Sequence, residues 1–347
     1  MLELEQNQSY IDDQPLFRLH SINTNMETSF IDRVLPSDLI RYSPITIFSV
    51  EKINPDLLSL VNIDTMPHKL IFIPNLEWLS HHYSAPSSPQ FDLHHHTISN
   101  SKLLLDSLRS HEYRLLILSR NDMTYNFFTG VDIPTLPVPW PIYSPNMRKA
   151  IQRETTASEN IRLILDLGNG GYGMRKAPDV AFNALLQTSR QYRITIKLDS
   201  ILAEMFKDEL AILGSKHILT IIDSWIDEDE INALYLNHDC LVYPSRFDGH
   251  GLALERAKAN GLYLIHTDGE PWNSITSGFP RQLIKAEFKG NIDFCPYYEP
   301  SPLHLTSLLD NLSLSALKAT RKSQASSLYE SKRHHLISHL NAFLKGA

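Results

Sequence analysis

Between Tyr243 and Gly261 the chain reads YPSRFDGHGLALERAKANG, and this stretch decides how the rest is read. The run CLVY from Cys240 to Tyr243 is short and apolar, as a buried strand is. Pro244 stops it, and small residues with Gly249 and Gly251 loosen the turn. A helical pattern then runs from Leu252 to Asn260, with Gly261 placed to cap it. A loosened turn feeding a helix N-terminus aims backbone N–H groups above the strand end, where they favour an anion or a sugar hydroxyl. Asp248 adds a carboxylate acceptor beside those amides.

The chain has 347 residues, enough for two domains of about 150 each. Hydrophobic residues make up 42% and charged residues 20%, the balance of a globular protein with a sizeable core. No apolar run approaches the ~18 residues of a membrane span, and the polar, acidic start is not that of a secretory signal. Cys240 and Cys295 form no framework, and Cys240 reads as core, so a reduced, cytoplasmic protein is expected. Residues 1–147 hold 9 Lys/Arg against 16 Asp/Glu, whereas the remainder balances. That acidity argues against nucleic acid and anionic membrane surfaces, which need clustered Lys and Arg.

In the first half, short runs at Ile45–Val50, Lys69–Ile73, Leu93–Ser99 and Arg114–Leu118 read as strands between loop-rich segments. Pro134, Pro137, Pro139, Pro141 and Pro145 predict an extended link. The second half is more regular. Strands at Arg162–Leu167, Arg193–Leu198, Ile218–Ile222, Leu241–Tyr243 and Leu262–His266 alternate with helices starting near Ala177, near Asp227 and at Leu252. Such spacing predicts a doubly wound parallel sheet with ligands beyond the C-terminal strand ends. The tail from Pro302 reads as helices.

Of the 16 histidines, His81, His82 and His94 to His96 crowd one region. Neighbours along a strand face opposite ways, so the triplet does not converge on a metal, and none is expected. No Asp-x-Asp stands beside a strand either; Asp227 and Asp229 sit at a helix start.

The opening stretch resembles the C-terminal domain of GT-B glycosyltransferases, in particular the family-4-like group, whose pattern runs Pro-Ser-x-x-Glu-Gly-Phe-Gly-Leu-x-x-x-Glu-Ala-x-Ala-x-Gly. Pro244, Ser245, Gly249, Gly251, Leu252, Ala257, Ala259 and Gly261 match it without gaps. Two positions depart. The first acid is Asp248, a shorter carboxylate. The second, which in the family holds the nucleotide ribose, falls on Arg256, with Glu255 one residue earlier. One residue is about 100° of helix, so Glu255 does not take the place of Arg256. Either the helix start shifts, or the ribose is held differently, or the donor is unusual.

Three further segments of the second half agree. Asp166 to Asp179, DLGNGGYGMRKAPD, follows a strand and precedes a helix. It resembles the loop whose basic residues grip the donor phosphates, here Lys176 and Arg175, with Gly170 and Gly171 letting the backbone approach. Lys197 ends the next strand. Thr267 to Asn273, TDGEPWN, is similar to the family's Thr-Asp-x-x-Pro-x-Asn, with Asp268, Pro271 and Asn273 shaping the donor pocket or an ordinary turn. In the first half, Phe72 to Leu79, FIPNLEWL, resembles a segment in which Asn75, Glu77 and Trp78 face the acceptor side. There Glu77 contacts a sugar, and Trp78 stacks on a ring or packs in the core. The glycine-rich first loop of the family is missing, since residues 1–40 hold no glycine.

The resemblance implies an α/β protein of GT-B type, two Rossmann-like domains facing across a cleft. Residues 1–145 form the acceptor-side domain and 146–310 the nucleotide-sugar-binding domain. Residues 311–347 are helices of the kind that pack back on the first domain. It implies a retaining, metal-independent hexosyltransferase without cofactor, using a UDP- or GDP-linked donor and a glycan, lipid, protein or small-molecule acceptor. Asp248, Lys176 and Glu77 are the catalytic candidates. Gly170, Gly171, Arg175, Arg246, Gly249, His250, Gly251, Leu252, Glu255, Arg256 and Asp268 join Lys176 and Asp248 around the donor. A non-catalytic binding or scaffold protein, and a sugar-nucleotide epimerase or phosphorylase of the same fold, stay open.

Overall fold

The structure, a computed structural model, describes residues 8–11, 14–20, 46–51, 69–74, 76, 115–119, 121–133, 135–137, 160–168, 174–292 and 295–317. The expected strand Leu93–Ser99, the histidine-rich region, the acceptor-side residues Asn75, Glu77 and Trp78, and the tail beyond residue 317 lie outside them. The chain divides into two compact units, each built on a six-stranded sheet.

The first sheet runs in sequence order: β1 (Gln8–Ile11), β2 (Gln14–His20), β3 (Thr46–Glu51), β4 (Lys69–Pro74), β5 (Leu115–Ser119) and β6 (Thr135–Pro137). β1 and β2 pair antiparallel, and every later pairing is parallel. Between β5 and β6 lies α1 (Asp122–Thr129), capped by the Asn121 side chain, which accepts from the Thr124 N–H at 2.9 Å. Part of the proline-rich link is therefore strand. Pro137 is tolerated because β6 is an edge, where a missing N–H breaks no ladder on the open side.

The second sheet has order β12-β11-β10-β7-β8-β9. Its strands are β7 (Arg162–Gly168), β8 (Arg193–Leu198), β9 (Ile218–Ile222), β10 (Cys240–Tyr243), β11 (Tyr263–Thr267) and β12 (Arg281–Ile284), all parallel where paired. All five expected strands of this half are present. The order reverses between β7 and β10, the position where parallel α/β sheets bind ligands beyond the C-terminal strand ends.

Helices cover both faces. α2 (Pro178–Gln187), α3 (Ser200–Met205) and α4 (Lys207–Lys216) pack on the face of Leu163, Leu165, Ile194 and Ile196. α5 (Glu228–Leu236), α6 (Leu252–Ala259) and α7 (Trp272–Ile275) cover the face of Ile164, Leu241, Tyr243 and Leu264. Alternate residues of β7 thus feed two cores, as the two-residue strand period requires. Asp227 starts α5 through a capping box with Glu230, so this acidic run is a helix start. A hairpin, β13 (Ala286–Ile292) and β14 (Cys295–Pro300), precedes α8 (Pro302–Asp310).

Candidate functional site

Two loops leave the reversal of the second sheet, one after β7 and one after β10. Arg246 joins them. Its guanidinium donates twice to Asp179, at 2.8 Å each, and twice to Glu299, at 3.0 and 2.8 Å. It also donates to the Met174 carbonyl at 3.0 Å. Burial disfavours its charge, but hydrogen bonds and attraction from Asp179 and Glu299 win and raise the pKa. The Arg246 N–H donates to the Arg175 carbonyl at 2.7 Å, and the Ser245 hydroxyl to the same oxygen at 3.2 Å. The Thr267 hydroxyl of β11 donates to the Ser245 carbonyl at 2.7 Å. One arginine and three backbone carbonyls therefore fix the two loops as a single rigid rim. Met174 and Ala177 hold left-handed backbone (φ 57° and 47°), costly for residues with a Cβ and tolerated where surroundings over-determine the chain.

Lys176 and Asp248 meet on this rim. The ammonium lies 2.6 Å from Asp248 Oδ2, although the residues are 72 apart in sequence. The Tyr243 hydroxyl, at the end of β10, accepts from Lys176 Nζ and donates to the same carboxylate oxygen. Asp248 Oδ1 accepts from the backbone N–H groups of His250 (2.9 Å) and Gly251 (3.0 Å). Both charges are buried, Lys176 at 8% exposure and Asp248 at 4%. Burial alone would push the Asp248 carboxyl up. The positive charges of Lys176 and Arg175 and the Gly251 N–H outweigh it and hold the group well below the usual carboxylate range.

Gly251 caps α6 with φ +64°, and a Cβ there would meet Ile275 Cδ1 at 2.7 Å. The left-handed backbone demands glycine, and a Cβ would also push the Ile275 methyl aside. α6 starts at Leu252, so the helix start is not shifted relative to the sequence pattern. Glu255 is buried and pairs with Lys258 at 3.1 Å. Arg256 lies over the Tyr235 ring at 5.7 Å, and Tyr235 donates to Asp166 Oδ2 at 2.7 Å. The Tyr235 hydroxyl also accepts a hydrogen bond from Arg256. Burial and the Asp166 charge push its pKa well above the ordinary value against Arg256, so it stays a donor. Asp166 stands at the C-terminal end of β7, next to the expected phosphate loop.

The structure therefore gathers Arg175, Lys176, Arg246, Asp248, Gly249, His250, Gly251, Leu252, Glu255 and Arg256 on two adjoining loops and one helix start. Gly170 and Gly171 lie outside the described residues. Asp268 is exposed and accepts from Asn273 Nδ2 at 2.8 Å, closing the turn before α7. Sequence reasoning missed Tyr243, Asp179, Glu299, Asp166 and Tyr235. Tyr243 had a signal: a hydroxyl in the last position of an otherwise apolar strand. The partners of Arg246 had none, because Glu299 comes from a hairpin 53 residues away.

No family model matches the chain, and no curated protein matches it. Solved structures do. A trehalose-6-phosphate structure from E. coli bound with UDP-2-fluoro glucose is 12% identical, with TM-score 0.57 over 91% of this chain and 76% of that one. The pneumococcal O-GlcNAc transferase GtfA, in complex with UDP and GlcNAc, is 14% identical, with TM-score 0.55 over 86% of this chain and 57% of its own. Sucrose-phosphate synthase from Thermosynechococcus elongatus is 11% identical, with TM-score 0.57 over 87% and 74%. The chain has the GT-B glycosyltransferase fold.

Proposed function

We propose that this chain is a glycosyltransferase that moves a hexose from a nucleotide sugar to an acceptor hydroxyl with retention of configuration. The observation that carries the reading is the Lys176–Asp248 pair at the strand-order reversal, where parallel α/β sheets bind ligands. Two of the similar structures named above hold UDP or a UDP-sugar, which favours a UDP-linked donor, with GDP as the alternative base.

In this reading the bond between the sugar C1 and the diphosphate oxygen breaks while the acceptor hydroxyl oxygen bonds to C1 on the same face, and its proton passes to the departing diphosphate oxygen. The electron pair stays on the diphosphate, whose growing charge is the main barrier. Lys176, with Arg175 beside it, neutralises that charge. The first turn of α6 adds its positive end, since the N–H groups ahead of the first intrahelical bond, which Leu254 donates to the Gly251 carbonyl, have no acceptor within the helix. Asp248 accepts from a donor-sugar hydroxyl and orients C1. The reading calls for no metal and no cofactor. Residues 1–145 supply the acceptor side through Asn75, Glu77 and Trp78, and residues 146–310 hold the donor. The acceptor is a glycan, lipid, protein or small molecule. Among the described residues no helix is long and apolar enough to cross a membrane. Cys240 and Cys295 are buried and form no disulfide with each other, in keeping with a cytoplasmic location.

A second reading, a non-catalytic nucleotide-binding module, is favoured by one observation: Arg256 occupies the place of the ribose-binding acid. Thermal-shift screening against a panel of nucleotide sugars, followed by assay of nucleoside diphosphate release with acceptor mixtures, separates them. Donor-induced stabilisation with release supports the transferase. Stabilisation without release supports the module, and neither response refutes both.

A further inference from the structure

We infer that Tyr243 is a positioning residue that keeps Asp248 hydrogen-bonded while Lys176 changes partner from Asp248 to a diphosphate. The inference rests on the glycosyltransferase reading of the same site. Its starting point is the accounting around Asp248. A carboxylate offers about four lone-pair sites, and here four donors fill them. Lys176 and Tyr243 serve Oδ2, and the His250 and Gly251 N–H groups serve Oδ1.

A sugar hydroxyl therefore reaches Asp248 only by replacing one of these donors. The two amides belong to the backbone that starts α6 and cannot leave without unwinding it. The Tyr243 ring is 2% exposed and packs edge-on against Trp272, with ring centroids 6.5 Å apart. Lys176 is the donor that can depart, because its ammonium is a point charge on a flexible stem with three rotatable N–H bonds. A diphosphate, with more negative charge than Asp248, draws it away. The place it leaves on Oδ2 is then the place of the sugar hydroxyl.

Between these two states the buried carboxylate must not be stranded, since an unsatisfied buried acceptor carries its full desolvation penalty. Tyr243 prevents this. Its hydroxyl touches both partners, so it holds Oδ2 throughout and gives Lys176 an acceptor to pivot on. The arrangement also suits the shorter acid at this position, which cannot follow a departing ammonium as a longer side chain would.

The test is a double-mutant cycle read by calorimetric titration with UDP, or with GDP if only GDP binds. UDP brings the diphosphate without the sugar, so binding it withdraws Lys176 and leaves Oδ2 to Tyr243 alone. Tyr243→Phe is expected to weaken UDP binding by about tenfold or more, the size of one bond to a buried acceptor. In an Asp248→Asn background no charge is left to strand, so adding Tyr243→Phe should change UDP affinity by less than about threefold. A residue that merely supports the fold would weaken both backgrounds equally. Equal losses overturn the inference, and so does wild-type affinity in Tyr243→Phe. If Tyr243→Phe alone does not fold, the comparison within the Asp248→Asn background still decides: a tenfold loss there overturns the inference, and a near-neutral result supports it. A wild-type protein that binds neither UDP nor GDP overturns the glycosyltransferase reading itself.

Discussion

Lys176 and Asp248, the two charges assigned to leaving group and sugar, neutralise each other at 2.6 Å inside the protein. A lysine expected on a glycine-rich loop is instead 8% exposed, so its removal has two effects. Lys176→Ala should lower sugar transfer by about a hundredfold or more, as loss of an electrostatic stabiliser does. It should also destabilise the fold by about 3–5 kcal/mol, because it leaves the hydrogen-bonded but buried Asp248 charge without its cation. Adding Asp248→Asn removes the stranded charge. The double variant should regain most of the melting temperature and none of the transfer. A double variant that regains transfer would remove Lys176 from the chemistry.

Asp248→Asn alone keeps the shape of the side chain and weakens its charge-assisted bonds. Transfer should fall, while UDP or GDP affinity holds or tightens, because the competitor for Lys176 is gone. The depressed carboxyl also has a pH consequence. Its ionised form stabilises the fold above the ordinary carboxylate range, and that contribution is lost as pH falls through its lowered pKa. Asp248→Asn should therefore flatten the acid limb of a melting-temperature profile. Parallel loss of nucleotide binding and transfer would show that Asp248 serves the nucleotide as well.

Arg246 belongs to the rim before it belongs to any ligand. Its five contacts end on Asp179, Glu299 and Met174, from two segments far apart in sequence. Arg246→Lys keeps the charge but loses the planar fork that serves two carboxylates at once. Asp179 and Glu299 are each about two-fifths exposed, at 41% and 38%, so water softens the loss. The expected cost is about 1–3 kcal/mol, less than for a fully buried pair. Chemical denaturation measures it. An unchanged midpoint would release Arg246 for donor binding.

How far the sequence reaches depends on the kind of interaction. The strands of the second sheet and the start of α6 rest on local signals, such as apolar runs, Pro244, Gly251 and the Asp227 capping box. They are legible residue by residue. The pairing of Lys176 with Asp248 was foreseeable only as a shared ligand, since the chain order gives no hint that the two side chains touch. Arg246 read as a donor contact because its position lies inside the motif. Its partner Glu299 sits on a hairpin that no local pattern connects to it. The proline-rich link showed a similar limit: Thr135–Pro137 is an edge strand, because edge position cancels the penalty that proline pays elsewhere. Local chemistry was readable, and long-range partnership was not.

His266 gives a pH test outside the site. It is fully buried in β11, with Nδ1 donating to the Thr267 carbonyl at 2.8 Å and Nε2 at 2.9 Å from the Thr276 hydroxyl. Burial is the main cause that lowers its pKa from the ordinary 6.5 to about 4, with Arg281 adding to it. Between those values the unfolded chain takes up a proton and the folded protein does not. Stability should therefore fall as pH drops from 6.5 to about 4, by up to about 3 kcal/mol, and this group adds no further loss below that. His217, lowered mainly by burial, acts in the same direction. His266→Gln cannot charge, so its stability profile should be flatter than the wild type's over that window. Parallel profiles would show that His266 does not titrate as its surroundings require.

Arg256 is the departure that most separates this chain from the pattern it resembles, and the structure gives it neighbours. Its guanidinium lies 5.7 Å from the centre of the Tyr235 ring, and the Tyr235 hydroxyl joins it to Asp166. Arg256 thus reaches an acid through one phenol, on the side of β7 that leads to the phosphate loop. An arginine there suits phosphate oxygens or a base carbonyl, which only accept. Arg256→Glu would restore the acid of the pattern but would set a second carboxylate beside Asp166, with no cation between them. Donor binding should collapse, with UDP affinity at least about tenfold weaker, the size expected when attraction turns to like-charge repulsion in a partly buried site. Arg256→Gln, which removes the charge without adding an opposite one, should lose less. Adding Asp166→Asn to Arg256→Glu should recover part of the affinity if repulsion is the cause. Tighter binding by Arg256→Glu alone would mark a decayed ribose site that the acid repairs. Unchanged binding in all three variants would place Arg256 outside the donor site.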